Sequence, residues 1–235
     1  MTDSAHHLVS RLTRAAEAAA LGAHGVRIDI AGTGIDFHSD HRQGIRIAET
    51  ILGPYCDITE ITDSTGIRAN GAGGGARPEA GRWRVVSAMV ERFGAVADEL
   101  VAALEADGVA STPVRRWPGD FSVARHDLGP GQTVIRHYEP FTGLTVFDRD
   151  AHTMYYLRPD EAFDASHTEH VLKYPLRTCL RLLGLCQVHA AACHYRGRGL
   201  LLMGEKASGK STLLCRFLER GARQMSNDLG FVRPR

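Results

Sequence analysis

The residues best suited to chemistry are Gly204, Glu205, Lys206, Ala207, Ser208, Gly209, Lys210 and Ser211, which satisfy the pattern G-x-x-x-x-G-K-[ST], followed by Thr212. Glycines at both ends let a backbone curl until successive N–H groups point inward at phosphate oxygens. A helix starting at the loop adds a favourable dipole for an anion. Lys210 is expected to reach the β- and γ-phosphates of a nucleoside triphosphate. Ser211 is expected to ligate magnesium, and Thr212 to lie near the α-phosphate. The spacing therefore predicts a site for ATP or GTP with Mg2+. A carboxylate for the metal is sought on the next strand, residues 222–226, which runs into Asn227 and Asp228. Asp228 is the candidate, the alternative being a solvated turn aspartate.

These residues need a strand before the loop and a helix after it. Leu200 to Met203 reads as a buried strand, preceded by a strand from Val188 to Tyr195 and a turn at 196–199, and Ser211 to Arg220 reads as a helix. A conventional P-loop sheet adds several βα units of about 30 residues each after the motif. Only 25 residues follow Lys210. The partner strands must then come from before the loop, in an antiparallel arrangement, or the chain is a shortened version of something larger.

Three stretches carry a more specific likeness. They are residues 187–195 (QVHAAACHY), 199–212 (GLLLMGEKASGKST) and 219–228 (ERGARQMSND). Together they resemble the core of the HPr kinase/phosphorylase-like proteins, related in fold to phosphoenolpyruvate carboxykinases. The resemblance covers roughly residues 187 to 233 and leaves the first two-thirds of the chain unassigned. It implies phosphoryl transfer from ATP to a hydroxyl of a peptide, protein or small molecule. It also implies that Lys210 stabilises charge, that Ser211 and Asp228 handle magnesium, and that His189 lies near the phosphates. The other reading of His189 is a core histidine in an apolar strand. The family has two adjacent aspartates after the helix, and the first, resembling the base that takes the acceptor's proton, is Asn227 here; an amide is no useful base at neutral pH. The chain also stops at Arg235, before the strands and helices that supply the acceptor site in the family. A non-catalytic nucleotide-binding regulator or partner subunit is therefore the alternative to a kinase-like phosphotransferase. Relatives of this kind often assemble into oligomers, so a homo-oligomer is the expectation the resemblance carries.

Upstream, Leu8, Leu12, Ala15 and Ala19 repeat at helical spacing behind Asp3 and Ser4, with Gly22 as terminator. Val26, Ile28 and Ile30 alternate, turn at 32–34 and return through Ile35 and Phe37, a hairpin pattern. A short helix is expected over 45–52. The glycines of 70–82 read as a linker, with little to bury. Val86, Met89, Phe93, Val96, Leu100 and Leu104 keep a 3-4 rhythm that predicts one long helix. Short β-rich runs follow at 133–135, 144–147 and 154–157, and a helix is expected from His167 to Leu185. The expected fold is α/β in the α+β sense: a mixed, largely antiparallel sheet with a P-loop and helices. Its regions are 1–69, the 70–82 linker, a helix-plus-β region over 83–165, and a nucleotide-binding core over 166–235.

Composition narrows the partners. Lys plus Arg number 28 against 27 for Asp plus Glu, which gives no bulk charge for a polyanion, so a general nucleic-acid role is not expected. Cys56, Cys179, Cys186, Cys193 and Cys215 are never spaced as a redox pair or zinc knuckle, and buried reduced thiols are expected. His38 and His41 give no third ligand at a definable spacing for a metal. Without an apolar signal core or an 18-residue apolar run, the expectation is a cytoplasmic protein with no membrane partner.

Overall fold

The computed structural model describes residues 4–30, 33–53, 56–61, 82–115, 122–138, 142–159, 181, 184–227 and 229–232. Residues 70–81 of the expected linker, nearly all of the expected 167–185 helix, and Asp228 lie outside the described residues, while Arg82, expected to end the linker, is already in a strand. The chain divides into two compact units, Met1–Leu176 and Arg177–Arg235. The architecture is α/β with mixed, mostly antiparallel sheets and, among the described residues, four helices.

In the first unit the elements run α1 (Ser4–Ala20), β1 (His24–Ile30), β2 (Thr33–Ser39), α2 (Arg42–Leu52), β3 (Asp57–Glu60), β4 (Arg82–Met89) and α3 (Phe93–Ala106). Five more strands follow: β5 (Ser111–Arg115), β6 (Ser122–Asp127), β7 (Gln132–His137), β8 (Gly143–Asp148) and β9 (Thr153–Arg158). All nine strands form one sheet in the order β3-β1-β2-β4-β9-β8-β7-β6-β5. Only the central pairs β2·β4 and β4·β9 are parallel. The β1–β2 hairpin forms, from His24 opposite Ser39 to Ile30 opposite Thr33, but its turn is tighter than expected: Thr33 and Gly34, read as turn residues, open β2 and pair with Ile30 and Asp29. Strands from the expected 1–69 and 83–165 regions thus share one sheet, because β2 pairs directly with β4.

The long helix read from Val86 onward is corrected by the structure. Its first part is strand β4, and the helix starts only at Phe93. The segment Trp83 to Ala88 is buried on both faces, so its apolar residues follow no helical stripe; β-branched Val85 and Val86 fit a central strand. Helices α1 and α3 cover one sheet face through Leu8, Leu12, Ala16, Phe93, Leu100 and Leu104, packed on Val86, Ala88, Val134, Leu144, Val146 and Leu157. Each fully buried leucine contributes about 1.5–3 kcal/mol. The Tyr155 hydroxyl donates to Glu17 Oε1 at 2.7 Å and ties α1 to the sheet.

The opposite face carries a buried polar band. Ser39, Ser87, Tyr156 and Thr145 stand side by side on β2, β4, β9 and β8 by strand register and are all buried. His137 joins them through Nε2 to Thr145 Oγ1 at 2.8 Å. Two residues beyond Tyr156, Arg158 is fully buried and paired with Asp40, whose Oδ2 accepts the Met89 N–H at 2.7 Å. The pair thus fastens the carboxyl ends of the three parallel strands. Across β1, β2 and β4, Arg82 bridges Asp29 at 2.6 Å and Asp36 at 3.5 Å, and Arg27 meets Asp36 at 3.0 Å.

In the second unit, β10 (Cys186–Tyr195) is central, with β11 (Arg198–Met203) on one side and β12 (Arg223–Ser226) and β13 (Leu229–Val232) along the other, all antiparallel to β10. Helix α4 (Lys210–Leu218) packs one face through Leu214, Phe217 and Leu218 against Ala191, Cys193, Leu200 and Leu202. Tyr195 meets Phe217 edge-on at 5.5 Å. This unit's small core contrasts with the exposed Leu201, Met203 and Met225.

Candidate functional site

Strand β11, expected to be buried, leaves Leu201 and Met203 exposed and only Leu200 and Leu202 partly covered; it ends at Met203, and Gly204 begins a loop that delivers the chain into α4. At position 204 a side chain would stand 2.6 Å from Ser208 Oγ, so the serine hydroxyl would have to turn away. One glycine is required by this path: Gly209 has φ 86°, the left-handed region that favours glycine. Ala207, with φ 65°, takes the same handedness without that relief. Within the loop the Ser208 N–H donates to Glu205 O at 3.2 Å. Among the described residues the backbone N–H groups of Lys206, Ala207 and Gly209 have no hydrogen-bond acceptor, and these residues are exposed. Gly209 caps α4 without any side-chain acceptor, so the first-turn donors are not satisfied by a cap.

Lys210 folds over this loop. Its Nζ donates to Gly204 O and to Glu205 O, both at 2.8 Å. Two carbonyls thus hold the ammonium against the start of the loop, within a few residues of the N–H groups that lack an acceptor. Ser211 and Thr212 follow on the exposed first turn of α4. The Ser211 hydroxyl donates to Asn227 Oδ1 at 3.4 Å.

The sheet register brings the remaining candidates to the same end of the unit. Met203 pairs with Ala190, so the loop leaves β11 beside the residue that follows His189. On the other flank Ser226 pairs with Ala192 and Leu229 with His189; the offset is the same, so Asn227 falls opposite Ala191. Strand alternation puts His189 and Asn227 on the face of Ala191 and Cys193, which α4 covers. A bulge between Gln224 and Ser226, opposite Cys193 and Ala192, sets that alternation just before Asn227. His189 is exposed and held by interactions of its own.

The structure therefore gathers Gly204 to Thr212, His189 and Asn227. Sequence reasoning placed Asn227 where an acceptor base would be; its side chain instead meets the Ser211 hydroxyl. No spacing rule announces that contact, because it depends on the β12 bulge and on two different strand pairings. Among the described residues there is no group of three or more His, Cys, Asp or Glu arranged to hold a metal ion. His41 serves locally instead, its Nδ1 accepting the Gln43 N–H at 3.2 Å at the start of α2. His38 is buried, and burial, reinforced by the charge of Arg84 and opposed by Asp36, lowers its pKa to about 4. Burial, helped by the Asp57 carboxylate, pushes the Cys56 thiol up to about 11, away from nucleophilic use at neutral pH. No described helix is long and apolar enough to cross a membrane. Comparison with known protein families, characterised proteins and solved structures finds no match to this chain.

Proposed function

We propose that the loop from Gly204 to Gly209, with Lys210, Ser211 and Thr212, binds the phosphates of ATP or GTP, and that the protein is a kinase-like phosphotransferase of the HPr kinase-like type. The observation that carries this reading is that the backbone N–H groups of Lys206, Ala207 and Gly209 find no acceptor among the described residues, while the Lys210 ammonium is held on the carbonyls of Gly204 and Glu205 at a helix start that no side chain caps. Those donors match the oxygens of a polyphosphate, and their electrostatics are fixed before the ligand arrives. Magnesium fits the residues present in a specific way. Mg2+ bound with nucleotide needs only one or two protein oxygens beside phosphate and water. Ser211 Oγ, exposed at the first turn of α4, supplies one; Asp228 is the proposed carboxylate. The ion would neutralise phosphate charge during transfer.

In the transfer, the bond between the γ-phosphorus and its bridging oxygen breaks, leaving the nucleoside diphosphate, a new bond to an acceptor hydroxyl oxygen forms, and the hydroxyl proton passes to solvent water or to the transferred phosphoryl oxygens. Lys210 steadies the phosphate charge, and His189 stands at the edge of the same face. Such transition states are loose and depend mainly on positioning and electrostatics, so a weak base is tolerated. The acceptor is a hydroxyl on a peptide, protein or metabolite. One observation favours a second reading, a nucleotide-holding regulator: Asn227 is engaged with Ser211 and brings no carboxylate to take that proton.

The test is calorimetry with Mg-ATP on the full chain, followed in the same sample by phosphorus NMR. Binding with formation of ADP supports the phosphotransferase; binding with intact ATP supports the regulator. Heat equal to buffer dilution in both wild type and Lys210→Ala would remove the nucleotide reading altogether.

A further inference from the structure

We propose that Asn227 is a positioning residue that makes this site read phosphate more than metal, so that nucleotide retention depends only weakly on magnesium. The inference rests on the nucleotide reading of the loop. Its own observation is the Ser211 Oγ to Asn227 Oδ1 contact, together with the strand offsets that set Asn227 opposite Ala191 on the α4 face. At 3.4 Å the hydrogen bond is long and therefore weak. Its importance is placement, since it joins the proposed magnesium ligand to the side chain beside it.

Two chemical differences between an amide and a carboxylate then matter. With Oδ1 engaged by the Ser211 proton, Nδ2 keeps two N–H donors that a carboxylate lacks, and these suit phosphate oxygens. The amide also carries no charge. A site with Asn227 beside Ser211 is one unit less negative than the same site with an aspartate at that position, so it attracts a divalent cation less and repels a polyphosphate less. Lys210 and the open N–H groups of Lys206, Ala207 and Gly209 supply attraction for the anion without a metal. Asn227 is exposed, so Asn227→Asp tests charge without disturbing a core.

The experiment measures ATP affinity in magnesium and in EDTA for the wild-type chain, Asn227→Asp, Lys210→Ala, and Ser211→Ala alone and combined with Asn227→Asp. The expected result is a ratio of the two affinities of under about fivefold in the wild type, rising about tenfold further in Asn227→Asp through weaker binding in EDTA and stronger binding in magnesium. With Ser211→Ala in both backgrounds, that added magnesium dependence shrinks, because the metal then lacks the hydroxyl that Asn227 orients. An unchanged ratio in Asn227→Asp, with Lys210→Ala still abolishing binding, overturns this inference and leaves the nucleotide reading standing. Absence of ATP binding to the wild type in both conditions overturns both.

Discussion

The two units use polar groups in opposite ways. The first unit buries them: Ser39, Ser87, Thr145, His137 and the Asp40–Arg158 pair lie inside a sheet of nine strands. The second leaves them open, with the N–H groups of Lys206, Ala207 and Gly209 facing solvent above a small core around Leu214. A buried polar group is expensive unless matched, so the matched ones, His137 with Thr145 and Asp40 with Arg158 and the Met89 N–H, favour one register, and their loss is felt as instability; the Ser87 hydroxyl, buried without a partner among the described residues, adds no such contribution. An exposed, unmatched donor costs little while water solvates it, and it is available to a ligand. Under the proposed reading, the contrast corresponds to scaffold chemistry in one unit and binding chemistry in the other.

The sharpest way to break this comparison is Asp40→Ala. Removing the carboxylate strips the fully buried Arg158 of its paired anion and the Met89 N–H of its acceptor, and the expected loss is about 3–5 kcal/mol of unfolding free energy in urea titration. A loss below about 1 kcal/mol would mean that the buried polar groups are as dispensable as exposed ones.

Next in size is a pH effect. Unfolded His38 takes a proton near its ordinary pKa of 6.5, but folded His38 does so only near 4. Its contribution is therefore complete above pH 6.5 and declines as pH falls towards 4, by up to ~3 kcal/mol in total. Urea titrations at pH 7 and pH 5 should show the decline, and His38→Gln should flatten it. An equal decline in that variant would assign the effect to other groups.

In the second unit, Lys210→Ala should weaken triphosphate binding by about 100-fold or more, through loss of a charge-assisted contact, while leaving the urea midpoint within experimental scatter of wild type. Calorimetry alongside the urea titration reads both quantities. A variant that loses stability but keeps its affinity would reverse the assignment of roles.

The smallest expected effect is Tyr155→Phe, which deletes the hydrogen bond to Glu17 and should cost about 1 kcal/mol. Because Tyr155 shares its sheet face with the α1 and α3 contacts, a larger loss in urea titration would show that the hydroxyl fixes α1 as well as satisfying Glu17.

Local pattern made much of this legible. The four-residue spacing of Leu8 and Leu12 marks α1, though Ala16 and Ala20 rather than Ala15 and Ala19 complete its buried stripe; the alternation of Val26 to Phe37 marks the β1–β2 hairpin, and the runs at 133–135, 144–147 and 154–157 mark β7, β8 and β9. Where both faces of a segment are covered, pattern misleads. β4 carries apolar residues in both phases of its alternation, so its Val86 and Met89 joined the true stripe of α3 into one imagined helix. The glycine and lysine spacing of 204–212 identified the candidate loop because its curl and charge depend on neighbours in sequence.

The sequence by itself determined the local elements and the chemical endowment of the loop: which residues bring N–H groups, an ammonium and a hydroxyl to one turn. Tertiary structure decided what lies opposite what. Parallel pairing of β2, β4 and β9 drew Asp40, from one end of the first unit, onto Arg158 at the other. In the second unit, the bulge in β12 and the strand offsets across β10 brought Asn227 to the Ser211 hydroxyl and aligned it with the face that carries His189. Such meetings follow from register, where a slip of one residue turns every side chain to the other face, and register is fixed by the summed packing of whole strands.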